Sequence, residues 1–176
     1  IILPSILVAQ DTCHWLPELC KRIPKDIIPE KKIALVIGNT NYEKDEWDLK
    51  NPTNDVNLIS KTFRKLEFEV ILKENLTYKQ IADVLKDFED KQYEYDFSII
   101  YYAGHALQDE NYNSHIIPVD ITDNNSYDST INISELVSNL EYSEISCLLI
   151  LDACRNTGSN DFIKPPRIQD PINVKL

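Results

Sequence analysis

Residues 97–105, FSIIYYAGH, form an apolar run that ends in a glycine and a histidine. A short apolar run of this kind is typical of a strand that is buried on both faces of a parallel sheet. IALVIGN at 33–39 and CLLILDAC at 147–154 have the same character, and EVILKE at 69–74 adds a fourth run. We therefore expect one mostly parallel sheet with residues 97–105 as its central strand.

Amphipathic helices alternate with these strands. Apolar residues recur at helical spacing in three segments, which are Val56, Ile59, Phe63 and Leu66, then Ile81, Val84, Leu85 and Phe88, and lastly Leu136, Val137 and Leu140. We expect Asn54 or Thr53 to cap the first helix. Thr77 and Gln80 have the spacing of a capping box for the second, and Asn132 precedes the third. The pattern predicts an α/β fold with three layers, α/β/α, around a mostly parallel central sheet.

One short extended segment lies outside the main alternation. HIIPV at 115–119 is apolar and contains Pro118, which has no N–H to donate to a ladder. We therefore expect this segment at the edge of a sheet.

The chain has the length of one domain. Its 176 residues, of which 43% are hydrophobic, are enough for one core. Residues 31–158 carry the alternating pattern, so we assign residues 1–30 to a leader and residues 159–176, which contain three prolines, to a linker or tail. The leader begins IILPSILVAQ, which is either the remnant of a signal peptide of an exported protein or a packed strand. Four unevenly placed cysteines favour a reducing, cytoplasmic compartment.

Charge and composition exclude several classes of partner. The net charge is −11 and the basic residues are scattered among acids, which excludes a nucleic-acid surface. No run approaches the roughly 20 apolar residues of a membrane span, so we expect no membrane insertion. Two groups of ligand-type residues have no recognised metal spacing, namely Cys13, His14 and Cys20, and Asp120, Asp123 and Asp128. We predict no metal and no cofactor.

Two strand ends carry groups suited to catalysis. In an open parallel sheet, ligands bind at the carboxyl ends of the strands, where His105 and Cys154 lie in sequence. A thiol attacks an amide as its thiolate, and a nearby imidazole removes the proton and returns it to the leaving amine. Cys154 follows His105 by 49 residues, which is the spacing of a caspase dyad. Cys147 lies inside its strand and is expected to be a buried structural residue.

Five segments in order resemble a known family. They are KKIALVIGNTNY, LKNPTNDVNLISKTFRKLEFEV, IIYYAGHALQ, IIPVD and LLILDACRN. Together they resemble the large-subunit core of the caspase-like cysteine peptidases of clan CD, and are most similar to the metacaspase, paracaspase and bacterial caspase-like branches. The resemblance covers about residues 31–158 and implies a caspase-like fold whose small-subunit part is missing from this sequence.

The resemblance implies the catalytic roles. Cys154 corresponds to the nucleophile and His105 to the base, and the backbone N–H groups of Gly104 and Cys154 correspond to the oxyanion hole. A glycine before the histidine lets the substrate backbone come close, although Gly104 also has the simpler reading of a residue that ends a strand.

The resemblance also implies a specificity. Asp55 and Asp152 match acids that line the S1 pocket of metacaspases and paracaspases, which receives the Arg or Lys on the N-terminal side of the cleaved bond, the P1 residue. Two carboxylates bind a guanidinium by charge-assisted hydrogen bonds and repel an acidic P1 side chain. Each acid has a structural alternative, Asp55 as a helix-start residue and Asp152 as a hydrogen-bonding acid. We expect a cysteine endopeptidase that cleaves protein substrates after Arg or Lys.

Two departures from the family pattern qualify this expectation. Ala106 follows His105 where the family often has Gly, which affects the shape of the loop. Only 22 residues follow Cys154, so we expect a small-subunit segment as a partner, and weak or no activity without it. If the pocket accepts basic residues, Lys164, Arg167 and Lys175 are candidate sites of self-processing.

The sequence leaves two alternative functions. A caspase-like pseudoenzyme or scaffold that mediates protein–protein interaction is the main alternative, because a fold does not determine a function. A nucleotide-binding domain is weaker, because the lone Gly38 after the first strand belongs to no phosphate-binding motif.

Overall fold

The computed structural model describes residues 31–109, 111–122, 127–141, 145–153 and 155–157. The predicted leader 1–30 and the tail 159–176, with its three candidate processing sites, lie outside these residues. The candidate nucleophile Cys154 and Asp123 of the acidic loop lie outside them as well.

Strands and helices alternate along the described chain. Its eight strands are β1 (Lys32–Gly38), β2 (Phe68–Glu74), β3 (Phe97–Ala103), β4 (Ala106–Gln108), β5 (Ser114–Ile116), β6 (Ile131–Asn132), β7 (Ser146–Asp152) and β8 (Arg155–Thr157). Its three helices are α1 (Pro52–Lys65), α2 (Tyr78–Gln92) and α3 (Ile133–Glu141).

The main sheet consists of four parallel strands in the order β2-β1-β3-β7. β1 and β3 lie inside the sheet and are buried along nearly their whole length, as their continuous apolar runs predict. β3 ends at Ala103, two residues before the predicted end, and β7 ends at Asp152. The carboxyl ends of both strands, with His105 shortly after β3 and Asp152 at the end of β7, therefore lie at the same edge of the sheet.

A second, smaller sheet has the strand order β6-β5-β4-β8. Two of its strands directly follow strands of the main sheet in sequence, since β4 comes after β3 and β8 after β7. The prediction that residues 115–119 form an edge strand is wrong, because β5 pairs antiparallel with both β4 and β6. The physical reason is that β5 ends at Ile116, so Pro118 lies beyond the ladder and disrupts no pairing.

Helices cover both faces of the main sheet, which confirms the predicted α/β fold. Alternate residues of β1 face opposite layers, as the two-residue period of a strand requires. Ala34 and Val36 pack with Val56 and Phe63 of α1. The other face of the sheet packs against apolar residues of α2 and α3, namely Ile81, Phe88, Leu136 and Leu140.

The helix starts follow the predictions at two of three positions. Thr77 and Gln80 form the predicted capping box of α2. The side chain of Asn132 accepts hydrogen bonds from the first N–H groups of α3. The predicted cap of α1 at Asn54 or Thr53 is wrong, because the helix begins at Pro52, whose fixed φ and missing N–H suit a first helical position.

Candidate active site

The main chain of His105 is held on both sides, immediately after β3. Its N–H donates to the hydroxyl oxygen of Tyr42 over 2.9 Å. Its carbonyl oxygen accepts from the hydroxyl of Tyr102 at 2.9 Å and from the N–H of Ile117 at 3.1 Å. These three bonds link β3, the loop after β1 and the segment after β5, so the position of His105 is fixed by the packing of the whole sheet edge.

The imidazole of His105 has a defined hydrogen-bond role. Its Nε2 atom lies 2.8 Å from the main-chain carbonyl oxygen of Trp47. A carbonyl can only accept, so Nε2 carries a proton and the neutral ring keeps its lone pair on Nδ1. Burial lowers the pKa of His105 below its ordinary value, and the bond to Trp47 opposes this shift. The ring is therefore a neutral base at pH 7, with Nδ1 available to accept a proton.

The carbonyl that orients this ring belongs to the loop between β1 and α1. Trp47 is buried and packs in a cluster with Tyr42 and Leu107. The ammonium of Lys44 covers its ring at 4.4 Å from the centroid, and the N–H of Tyr42 donates to Asp48 over 2.8 Å. The sequence did not predict that Trp47 orients His105, because any residue can supply a main-chain carbonyl. The only local signal was two large aromatic residues in an otherwise polar loop.

Gly104 lies where a side chain would not fit. A Cβ atom at this position would be 2.8 Å from Cζ of Tyr102 and 3.0 Å from the hydroxyl oxygen of Tyr42. Both phenols also hold the main chain of His105. The close approach gives Gly104 a structural reason to be glycine, in addition to the role proposed for its N–H.

The two predicted acids both act on one tyrosine. Asp152 is exposed at the end of β7, and its Oδ2 accepts a hydrogen bond from the hydroxyl of Tyr101 over 2.8 Å. Asp55 is half-buried in the first turn of α1. Burial is the main cause that raises the pKa of Tyr101, followed by the hydrogen bond and charge of Asp152 and then by the charge of Asp55. The structure thus brings both carboxylates into the surroundings of the Tyr101 hydroxyl.

The thiol inside β7 has no activating base among its described contacts. Cys147 is half-buried, and burial raises the pKa of its thiol against a smaller effect of a hydrogen bond with Ser98. A raised pKa disfavours the thiolate that a nucleophile requires. This environment fits the predicted structural role of Cys147.

The family model for the caspase domain matches residues 31–172 of this chain. The chain belongs to the caspase-domain family. This caspase domain is 28% identical over 149 residues to human mucosa-associated lymphoid tissue lymphoma translocation protein 1, a match that covers 84% of the chain and 18% of the relative. It is 31% identical over 139 residues to the paracaspase of Dictyostelium discoideum, covering 73% of the chain and 32% of that relative. The predicted resemblance to caspase-like peptidases is confirmed, and the chain spans less than a third of each of these relatives.

The described part of this caspase domain contains neither a membrane-spanning helix nor a metal-like group of side chains. None of its helices there has both the length and the apolar character of a membrane span. No three His, Cys, Asp or Glu side chains gather there in a metal-like group. Asp120 of the predicted acidic loop instead accepts a hydrogen bond from the N–H of Tyr78 at the start of α2, over 2.8 Å. The prediction of no metal and no cofactor stays a prediction.

Proposed function

We propose that this caspase domain carries the catalytic centre of a cysteine endopeptidase that cleaves proteins after Arg or Lys. Cys154 is the nucleophile and His105 the base. The N–H groups of Gly104 and Cys154 bind the oxyanion, and Asp55 and Asp152 form the S1 pocket.

The register of the strands is the observation that carries this proposal. β3 and β7 pair Ala103 with Asp152, and β4 and β8 pair Ala106 with Arg155. Both pairs have the same offset of 49 residues as His105 and Cys154, which lie between them in sequence. Neighbouring strands are about 4.8 Å apart. The register therefore supports a base and a thiol on adjacent chain segments at one sheet edge.

In the proposed mechanism, His105 moves protons between the thiol, the leaving amine and water. Nδ1 of His105 accepts the proton of the Cys154 thiol, and the thiolate adds to the carbonyl carbon of the scissile peptide. The two N–H groups stabilise the oxyanion of the tetrahedral intermediate. When the C–N bond breaks, Nδ1–H protonates the leaving amine. Water, deprotonated by His105, then hydrolyses the thioester and restores the thiol.

The proposed specificity rests on charge. Asp152 accepts a hydrogen bond from the Tyr101 hydroxyl, and the charge of Asp55 also raises the pKa of Tyr101, which supports a negative potential at this edge of the sheet. A guanidinium or ammonium group is attracted there, whereas an acidic P1 side chain is repelled.

The proposed partner is a small-subunit segment that adds to β7. In the described residues β7 pairs only with β3, and Leu148 on β7 is 46% exposed. An unpaired strand edge is a template for a further strand. We also propose that residues 31–158 form the catalytic unit and that the protein is cytoplasmic.

Active-site labelling tests the proposal. The full-length protein is treated with peptide chloromethyl ketones that end in Arg or in Asp, and the alkylated residue is identified by mass spectrometry. We expect the Arg reagent to label Cys154 selectively, Cys154→Ala to abolish labelling, and Cys147→Ala, the matched thiol control, to preserve it. Faster labelling by the Asp reagent would keep the peptidase and overturn the specificity, and equal labelling of both thiols would favour a scaffold.

A further inference from the structure

One buried phenol sits between the acids of the proposed pocket and the core. Tyr101 is only 4% exposed, and its ring belongs to the apolar cluster that joins β1, β3 and α1. Its hydroxyl nevertheless donates to Oδ2 of Asp152, whose side chain is exposed. A ring that is fixed by the core thus holds a carboxylate that would otherwise rotate freely in solvent.

This bond restricts the orientation of the carboxylate and leaves it further acceptor positions. An ionised carboxylate has two oxygens with about four acceptor positions, and the phenol occupies one of them on Oδ2. Oδ1 and the remaining position on Oδ2 can accept the two parallel N–H groups of a guanidinium. Because the side chain is already ordered, less conformational entropy is lost when a cation binds.

The phenol keeps this role over a wide pH range. Burial, and to a lesser degree Asp152 and Asp55, raise the pKa of Tyr101, so its hydroxyl remains protonated and remains a donor at neutral pH. Among the described residues, Tyr101 is the identified hydrogen-bond donor to Asp152.

We propose that Tyr101 is a positioning residue for specificity, which orients Asp152 for bidentate binding of an arginine at P1. This inference rests on the proposed function and extends it to the choice between Arg and Lys. A planar guanidinium depends on the orientation of the carboxylate plane, whereas an ammonium is a compact charge that binds in many orientations. Loss of the Tyr101 hydroxyl should therefore weaken binding of Arg more than binding of Lys.

The test compares two peptide substrates that differ only in Arg or Lys at P1, with the full-length protein. In Tyr101→Phe we expect KM for the Arg substrate to rise by about three- to tenfold, the effect of one hydrogen bond. KM for the Lys substrate and both kcat values should change little. Tyr95→Phe is the matched control, because it removes a phenol that donates to Glu69 on β2 instead.

A double-mutant cycle separates positioning from general damage. If Tyr101 acts through Asp152, Tyr101→Phe has no further effect in the Asp152→Asn background. Asp152→Glu keeps the charge but moves it by one methylene from the fixed phenol, so it should also lose the preference for Arg. The proposal would be overturned by equal increases in KM for the Arg and Lys substrates, or by additive effects of the two substitutions on KM. A KM for the Arg substrate that is unchanged in Tyr101→Phe would overturn it as well.

The two proposals fail in different ways. A wild-type protein that cleaves after neither Arg nor Lys overturns the proposed function, and with it the role of Tyr101. A wild-type protein that cleaves after both, with a Tyr101→Phe variant of equal Arg preference, overturns the role of Tyr101 alone. The phenylalanine ring retains the packing of Tyr101, and equal unfolding midpoints of the two proteins verify that the fold is intact.

Discussion

Nε2 of His105 and the main-chain carbonyl oxygen of Trp47 are 2.8 Å apart, in a bond that joins the end of β3 to the loop after β1. No side-chain substitution can delete a main-chain acceptor. The position of this carbonyl depends on how Trp47 packs. The orientation of the proposed base is therefore set by core packing and not by a second polar side chain. The chemistry of His105 is therefore linked to the folding of the loop.

The first prediction concerns the titration of His105. In a Cys154→Ala variant, which removes coupling to the thiol, we expect nitrogen-detected NMR to show a neutral ring with the proton on Nε2. Its pKa should lie below the ordinary value of 6.5, because burial penalises the imidazolium. A pKa above 6.5 would contradict the dominant effect of burial, and a proton on Nδ1 in the neutral ring would contradict the described bond to Trp47.

The lowered pKa of His105 also sets how the free energy of unfolding depends on pH. Because the folded pKa is lower than the unfolded one, the unfolded chain binds more protons between the two values. The contribution of neutral His105 to the free energy of unfolding is complete above pH 6.5 and is lost as the pH falls through the folded pKa.

The second prediction concerns Tyr42, whose hydroxyl accepts the N–H of His105. Tyr42→Phe removes this acceptor and should lower the free energy of unfolding by about 1 kcal/mol and kcat/KM by about tenfold. Burial is the main cause that raises the pKa of Tyr42 from 10.0 to about 12, so its contribution to stability is present below pH 10 and lost towards pH 12. The stability difference between wild type and variant should shrink over that interval.

Tyr112→Phe provides the control for this experiment, because the ring of Tyr112 is 81% exposed. Its denaturation curve at neutral pH should coincide with that of the wild type. If both variants lose the same activity, the bond from His105 to Tyr42 has no special role.

The main sheet was predictable because its inner strands, β1 and β3, are buried on both faces. Burial of this kind leaves continuous apolar runs in the sequence, and the capping box of α2 is a local signal that needs no tertiary context. The second sheet was not predictable, since β4, β5 and β6 have two or three residues each and depend on partners far along the chain. Short strands carry too few residues to show a period.

Some residues of the candidate site were likewise predictable from the sequence and others were not. His105 was singled out by its position at the end of an apolar run, where polar residues are conspicuous, and Asp152 by the family resemblance. The carbonyl of Trp47 and the hydroxyl of Tyr101 were missed, because a main-chain acceptor is common to all residues and a tyrosine within an apolar strand looks like core. Only the fold reveals that Tyr101 reaches Asp152.

The third prediction concerns the packing of β1 against α1. A Cβ atom at Gly38 would lie 2.7 Å from Cγ1 and 2.9 Å from Cγ2 of Val56, a stiff β-branched side chain. Gly38→Ala should therefore lower the free energy of unfolding by about 1–3 kcal/mol in chemical denaturation. In a Val56→Ala background the same change should cost much less, because the clashing methyl groups are gone. An equal cost in both backgrounds would assign the effect to the backbone of Gly38.

The fourth prediction concerns a buried polar contact of the second sheet. His115 is 5% exposed, and its Nδ1 lies 2.9 Å from the hydroxyl oxygen of Thr130. Because that hydroxyl donates to the carbonyl of Tyr127 over 2.6 Å, its oxygen accepts a hydrogen bond from Nδ1–H of His115. Thr130→Val leaves Nδ1 of His115 without this acceptor, whereas the carbonyl of Tyr127 keeps the main-chain N–H of residue 130. The substitution should lower the free energy of unfolding by about 1–3 kcal/mol. Thr130→Ser keeps the hydroxyl and should cost clearly less, and equal losses would mean that the methyl group contributes as much to stability as the hydrogen bond.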